Sequence, residues 1–338
     1  MSGLTVISAS DIAEHATRDL AFSAVEKALI AITKPDSLLF PVTIGRGLPD
    51  ESMVAIKSGM SAPEGVVGLK VGTYWPNNRH LGLANHGSTT LLLDPGTGMP
   101  TALFNAVALN GLRTAAANAV ASNALARPDV EVLLVVGAGH QARCEIAALC
   151  DIRPISQVMI WSRNPNHAAE LADELSTSAS IQAFAQFSTQ FSTQFSAVSD
   201  LEVAAGEADI ITTVTPSTQA LIQSAWVRPG THISAMGADK KGKQELDPRL
   251  VEGGKLFADH PPQSVEIGEF QSAAQQELIR EQDITAIGRV LTGVCQGRAR
   301  ESDITIFDSS GIALQDIAVA QAILEKIRRE GGGLKVSF

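Results

Sequence analysis

The spacing of apolar residues changes character along this chain. Over residues 10–32, Ile12, Ala16, Leu20, Ala24 and Leu29 recur at helical spacing, which predicts one opening helix capped by Ser10 or Asp11. Between residues 38 and 93 the texture turns to short β-prone runs (53–56, 66–71 and 89–93) separated by Gly and Pro turns, so an antiparallel or mixed sheet is expected. The turn Asp94-Pro95-Gly96-Thr97-Gly98 follows, then an alanine-rich helix over 115–125 that ends before Arg127-Pro128. After Pro128, strands at 132–136, 158–161, 210–214, 232–236 and 256–258 alternate with helices that include 141–150 and 166–175. Short apolar strands joined by helices require a parallel, doubly wound sheet, and a domain boundary is placed near residue 116. Residues 304–307 read as a further strand, followed by a helix through 329. Residues 186–196 read QFSTQFSTQFS, a repeat too short and too polar to build a solenoid, and are expected to be an expanded surface loop.

Composition narrows the function. With 338 residues, 45% of them hydrophobic and 18% charged, the chain can bury a substantial core and is long enough for two domains. Its 26 Lys and Arg against 36 Asp and Glu leave a net charge of -10, the wrong sign for a nucleic-acid binder. A small substrate is the better expectation, and an anionic one needs local cations to overcome the global field. The three cysteines, Cys144, Cys150 and Cys295, lack metal-site spacing and are expected to be buried thiols. No HExxH or similar pattern occurs among the seven histidines, so no metal is expected. The N-terminus shows no basic stretch before an apolar one, and no uncharged apolar run approaches the roughly 20 residues of a membrane span; a cytoplasmic protein without a membrane partner is expected.

One motif carries chemistry by itself. Val132-Leu133-Leu134-Val135-Val136 runs directly into Gly137-Ala138-Gly139-His140-Gln141-Ala142, and helix-compatible residues follow. That strand, turn and helix order is the context a dinucleotide fingerprint demands. Gly137 permits the tight turn, Gly139 lets a pyrophosphate approach backbone N–H groups, and Ala142 allows close helix–strand packing. His140 and Gln141 complete the turn, His140 as a cofactor-side neighbour rather than a metal ligand. In NAD-selective sites an acid roughly 20 positions further on accepts the ribose 2′-hydroxyl. Here Ser162-Arg163-Asn164 close the second strand, and no carboxylate occurs before Glu170. Arg163 offers a guanidinium to a 2′-phosphate, with Ser162 and Asn164 as further donors, so NADPH is expected in preference to NADH.

With these elements in place, the chain resembles the ornithine cyclodeaminase and mu-crystallin family, whose members include ketimine reductases and some alanine dehydrogenases. The resemblance covers nearly the whole chain. It rests on Val67-Gly68-Leu69-Lys70, Leu93-Asp94-Pro95-Gly96-Thr97-Gly98-Met99-Pro100, Leu112-Arg113-Thr114-Ala115-Ala116, the GAGHQA turn, Ile211-Thr212-Thr213-Val214-Thr215, the stretch GADKKGKQEL from Gly237, and Phe307-Asp308-Ser309-Ser310-Gly311. It implies a Rossmann-type doubly wound α/β domain, residues 116–311, inserted into a smaller α+β domain of residues 1–115 plus 312–338 that binds substrate and forms a homodimer.

The resemblance also implies roles. Arg46, Lys70 and Arg113 would hold a substrate carboxylate, and Asp239, in a glycine-flanked loop beyond a strand end, would be the catalytic acid. Thr114, Thr213, Met236, Lys243 and Ser309, with Arg113 nearby, would line the dinucleotide; Asn85 joins them although Leu83-Ala84-Asn85-His86-Gly87 departs from the cyclodeaminase pattern. The implied activity is NADPH-dependent reduction of a small anionic cyclic imine, 1-pyrroline-2-carboxylate to L-proline, with 1-piperideine-2-carboxylate to L-pipecolate beside it. Ornithine cyclodeamination and crystallin-like binding without turnover stay open as alternatives. The cyclodeaminases carry an acid after the second strand where this chain has Ser162-Arg163, and that departure favours a reductase.

Overall fold

Local capping decides how the chain begins. Strand β1 (Gly3–Ile7) leads into α1 (Ala9–His15) and α2 (Arg18–Ala31), where periodicity predicts a single helix. The cap is Ser8 rather than Ser10 or Asp11: its hydroxyl accepts from the Asp11 N–H at 3.1 Å, while Asp11 Oδ2 accepts from the Ser8 N–H at 2.8 Å. Ala16 is extended, and Thr17 then caps α2 by accepting from the Leu20 N–H at 3.2 Å. A reciprocal capping box followed at once by a second N-cap breaks the chain despite continuous helical spacing.

The computed structural model describes residues 3–48, 51–177 and 193–337. They divide into two units, Met1–Arg113 with Ile312–Phe338, and Thr114–Gly311. In the first unit, β2 (Ser37–Leu39), β3 (Thr43–Arg46), β4 (Met53–Ser61), β5 (Val66–Tyr74), β6 (His86–Leu93) and β7 (Pro100–Asn105) form a mixed sheet with β1 and the C-terminal strand Leu334–Ser337. All pairs are antiparallel except β1 with β7. The C-terminal helix Ala313–Glu330 packs on β4, β5, β6 and α2, burying Leu314, Ile317, Ile323 and Leu324.

Helix α3 (Val107–Leu125) starts well before the expected residue 115 and runs through the division between the units. Asn110 and Gly111 are weak helix formers that hide its first turns from propensity, whereas burial of Leu109, Arg113 and Ala116, spaced four and three residues apart on one side, holds them helical.

The second unit is a wholly parallel sheet of β8 (Val132–Val136), β9 (Gln157–Trp161), β10 (Gln194–Ala197), β11 (Ile210–Thr213), β13 (His232–Ala235), β15 (Lys255–Ala258), β16 (Ile284–Ala286) and β17 (Thr305–Asp308). Its spatial order is β10-β9-β8-β11-β13-β17-β15-β16, and β12 (Thr218–Ile222) pairs with β14 (Gln244–Leu246) beside it. Alternate residues of each strand enter separate cores, as a sheet covered on both faces requires. Leu133 and Val135 pack with α4 (His140–Ile152) and α5 (Pro165–Thr177), whereas Leu134 and Val136 pack with α6 (Leu201–Glu207) and the helices beyond it.

Two expectations need correction. The last copy of the QFST repeat is not a loop, because Gln194–Ala197 pairs in parallel with β9 and Phe195 packs on the α4–α5 core. Residues 186–192 of the repeat lie outside the described residues. Of the cysteines only Cys150 is buried; Cys144 and Cys295 are half-buried, Cys144 lying one helical turn from His140 with Sγ 3.8 Å from Nε2. Among the described residues no helix is long and apolar enough to cross a membrane.

Candidate active site

Two arrangements of functional side chains stand out, one in each unit. In the first, Lys70 on β5 and Arg113 on α3 converge on Asp316 in the opening turn of the C-terminal helix. Lys70 Nζ donates to Asp316 Oδ1 at 2.9 Å and Arg113 Nε to the same oxygen at 3.1 Å. Asn110 Oδ1 bridges the cations, accepting from Lys70 at 2.6 Å and from Arg113 Nη2 at 2.9 Å, while Arg113 Nη1 donates to Gln315. Lys70 and Arg113 are only 9% and 8% exposed. Burial, joined by Arg113 and opposed by Asp316, brings the Lys70 ammonium down to about 8. Burial also works against a charge on Asp316, but Arg113 and Lys70 outweigh it and hold that carboxyl below its ordinary value.

Two buried cations facing one carboxylate keep a net positive charge, which a desolvated site holds only with good partners. A second carboxylate is the natural complement, since guanidinium and ammonium groups make their strongest hydrogen bonds to such oxygens. Arg46 does not join this contact. It is exposed on β3, opposite Met53, and four positions along the ladder from the Lys70 row, about 13 Å at the rise of a strand.

In the second unit β8 ends at the turn Gly137–Gly139, beside β11, where the strand order reverses. Open parallel sheets bind ligands at the carboxyl ends of such strands. Gly137 has φ +127°, and a Cβ there would lie 2.9 Å from Val214 Cγ2, so only glycine fits. At Gly139, the N-cap of α4, a Cβ would meet nothing within 4 Å and no side chain caps the helix. An open approach to uncapped N–H groups at the start of a long helix suits a pyrophosphate. Beyond β9, Ser162 is half-buried and Arg163 and Asn164 are exposed, with Asn164 bonded to His167. Gln141 is turned toward Glu145, donating at 2.6 Å, and Thr114 lies on α3. Asn85, in the first unit, accepts through its backbone carbonyl from the Trp75 N–H at 2.8 Å.

The loops after β11 and β13 are tied together by a residue that sequence reading passes over. Glu245 on β14 is fully buried and accepts from Thr213 Oγ1 at 2.8 Å, from the Thr215 N–H and Oγ1, both at 2.6 Å, and from the Gly237 N–H at 3.0 Å. Met236 is buried between these anchored positions in sequence. Asp239 follows in the exposed loop and pairs with Lys243 at 2.7 Å; Lys243 also donates to the Gly237 carbonyl at 2.9 Å. Ser309, just past β17, donates to Asp259 at 2.9 Å.

Behind these loops lies a set of buried acids. Burial pushes the Glu245 carboxyl up despite its four donors, and it pushes Glu269 well up with the charge of Glu245 adding to the effect. Asp308, bonded by Ser264, is likewise driven well up by burial and by Asp259. Among the described residues no three His, Cys, Asp or Glu side chains are grouped to hold a metal ion.

Asp316 is not marked by any motif, yet the sequence carries a signal for it. It shares a buried helical stripe with Ala313, Ala320, Ile323 and Ile327, and an acid on such a stripe calls for a buried cation.

The iminosuccinate reductase of Paracoccus denitrificans is 38% identical over 335 residues, covering 99% of this chain and 100% of that protein. The crystal structure of that enzyme in complex with NAD+ superposes with a TM-score of 0.90 at 37% identity, over 99% of this chain and 100% of the other. The Thermococcus litoralis Delta(1)-pyrroline-2-carboxylate reductase, in complex with NADH and L-proline, superposes with a TM-score of 0.88 at 26% identity, over 98% and 100%. The model of the ornithine cyclodeaminase/mu-crystallin family matches residues 5–331. The chain belongs to that family and is an NAD(P)-dependent oxidoreductase acting on CH–NH bonds.

Proposed function

We propose that this enzyme reduces an α-imino carboxylate, and that iminosuccinate, yielding aspartate, is the substrate it fits best. The observation that carries the reading is the buried Lys70–Arg113 pair, which keeps a net positive charge after Asp316 is counted. The full-length likeness to an iminosuccinate reductase supports the choice of imine.

A bound nicotinamide dinucleotide supplies the hydride. Lys70 and Arg113 hold the carboxylate and thereby fix which face of the imine carbon is presented, a positioning effect worth several kcal/mol in well-oriented reactions. Asp239 provides or balances the proton on the imine nitrogen, so the product leaves as an amine. Gly137, Gly139, Thr114, Thr213, Met236, Lys243 and Ser309, with His140, Gln141 and Asn85, serve the dinucleotide. Arg163, with Ser162 and Asn164, favours NADPH over NADH through the 2′-phosphate.

A second reading, reduction of 1-pyrroline-2-carboxylate to L-proline, draws on the likeness to the Thermococcus enzyme and needs only the one carboxylate anchor. Leu38, Phe40, Val42, Ile44, Leu48 and Met53 leave an exposed apolar margin on β2 to β4, and a second copy of the chain, forming a homodimer, is its fitting cover.

Initial rates with NADPH and with NADH separate these readings. Oxaloacetate with ammonium, as the source of iminosuccinate, should be consumed faster than 1-pyrroline-2-carboxylate or 1-piperideine-2-carboxylate. Preference for the cyclic imines would move the assignment to the second reading, and ornithine turnover with ammonia release and no net change in cofactor would overturn both.

A further inference from the structure

Helix α4, which opens on the glycine turn, carries a carboxyl group on its buried side. Ala142, Ile146 and Leu149 form the apolar stripe of that helix, and Glu145 lies beside them with no exposed surface. Glutamate is almost never fully buried without good partners, so its place on this stripe calls for a reason.

The two oxygens of Glu145 reach two ways. Oε2 accepts from Asn118 Nδ2 on α3 at 2.8 Å, and Oε1 accepts from Gln141 Nε2 at 2.6 Å. The first contact is held rigidly. Asn118 is itself fully buried, its Nδ2 also reaches Thr212 Oγ1 on β11 at 3.3 Å, and the Ser122 hydroxyl donates to its Oδ1 at 2.8 Å. A hydroxyl donor on the carbonyl oxygen sets the orientation of the amide and turns its NH2 group to Glu145. Glu145 is thereby tied to α3 and, through Asn118, to β11.

The second contact reaches the glycine turn. Gln141 is the second residue of α4, and its N–H is one of the donors left open at the helix start. A glutamine in this turn has two places for its amide. It can bend over the helix start and accept from the open N–H groups, as the Glu or Gln of a capping box does, or it can lie back along the helix toward the residue four positions on. Glu145 holds it in the second place.

We propose that Glu145 and Asn118 are positioning residues for the dinucleotide, which hold the Gln141 amide off the start of α4 and leave the N–H groups there to the pyrophosphate, an assignment that rests on reading the Gly137–Gly139 turn as the dinucleotide site. The test is a cycle of Glu145→Met, Gln141→Ala and the double variant, beside Gly139→Leu, with the Kd for NADPH and NADH read by fluorescence titration. Methionine keeps the volume of Glu145 and removes both acceptors. It should weaken binding about tenfold while Gln141 is present, the size of one competing hydrogen bond, and by less than about twofold once Gln141 is alanine.

Equal loss with and without Gln141 is what a merely structural role gives, and it overturns the assignment, as does unchanged affinity in Glu145→Met. If Glu145→Met does not fold, Asn118→Leu takes its place in the cycle and is judged by the same dependence on Gln141. Gly139→Leu separates this assignment from the reading beneath it. The Gly139 backbone is extended with open space around it, so the fold accepts a side chain there while the approach to the N–H groups is closed. Binding indifferent to Gly139→Leu would put the dinucleotide elsewhere and overturn both, whereas binding lost in Gly139→Leu with equal losses around the cycle overturns the roles of Glu145 and Asn118 alone.

Discussion

Lys70 titrates within reach of ordinary assays, and its replacement by arginine isolates what that titration does. Its ammonium gives up its proton at about 8, chiefly because burial disfavours the charged form. A bound carboxylate favours that form, so affinity for an anion is full below pH 8 and is lost as the pH rises through it. One unit above the pKa about a tenth of the protein keeps the charge, so the inhibition constant of succinate should rise about tenfold between pH 7 and pH 9. Both succinate carboxyl groups are ionised throughout, so the slope belongs to the protein.

Fold stability should move the other way. Lys70 holds its proton to pH 10.5 when exposed and only to about 8 in the fold, so between those values the unfolded chain binds more protons and stability rises with pH. Arginine stays charged across this range. In Lys70→Arg succinate should bind more weakly overall, since a guanidinium does not match the ammonium position, but with a flat profile from pH 7 to 9.5. A flat profile in the unaltered enzyme, or an unchanged slope in Lys70→Arg, would refute the assignment of Lys70 as the titrating carboxylate anchor.

Arg163→Ala should raise the KM for NADPH by about the 1.5–3 kcal/mol of a charged hydrogen bond and leave NADH little affected; equal loss with both counts against a 2′-phosphate contact. Asp239→Asn should lower kcat by about 10²–10⁴-fold with dinucleotide affinity near normal by fluorescence titration, and a near-normal kcat with chemistry limiting would show the proton comes from elsewhere. Glu245→Ala strands the donors of Thr213, Thr215 and Gly237, so thermal unfolding should show a loss of about 3 kcal/mol and weaker dinucleotide binding; an unshifted melting curve would mean the loops hold without it. Phe195→Ala should cost about 1–2 kcal/mol, less than a fully buried phenylalanine, because Phe195 is half-buried on an edge strand.

The parts of the fold legible in the sequence are those whose cause is local. Val132–Val136 followed by Gly137 and Gly139 is a branched strand, a left-handed turn and an uncapped helix start, each stated by a few adjacent residues. The strands β4, β5 and β6 announce themselves in the same way. Illegible features depend on partners distant in sequence. β1 and the C-terminal strand are short, and they pair with each other from opposite ends of the chain. Lys70 and Asp316 are 246 residues apart, and nothing near either names the other. The opposition of Lys57 to Lys70 needs the register of β4 on β5, which a one-residue slip would abolish. Glu245 lies within the GADKKGKQEL stretch but gains meaning only when two separate loops close on its carboxylate.

The last copy of QFST enters the sheet as β10, preceded by Thr193, whose hydroxyl donates to the Ile155 carbonyl at 2.8 Å. Gain or loss of one whole four-residue copy would deliver the same Gln, Phe and Ser to the same ladder partners, with a threonine still in front of them. The repeat number can thus drift in the gene without a change of strand register or of the residue that faces the core. An insertion of any other length must fall ahead of Thr193 to spare these residues, so length variants of this protein should keep the closing Thr-Gln-Phe-Ser intact.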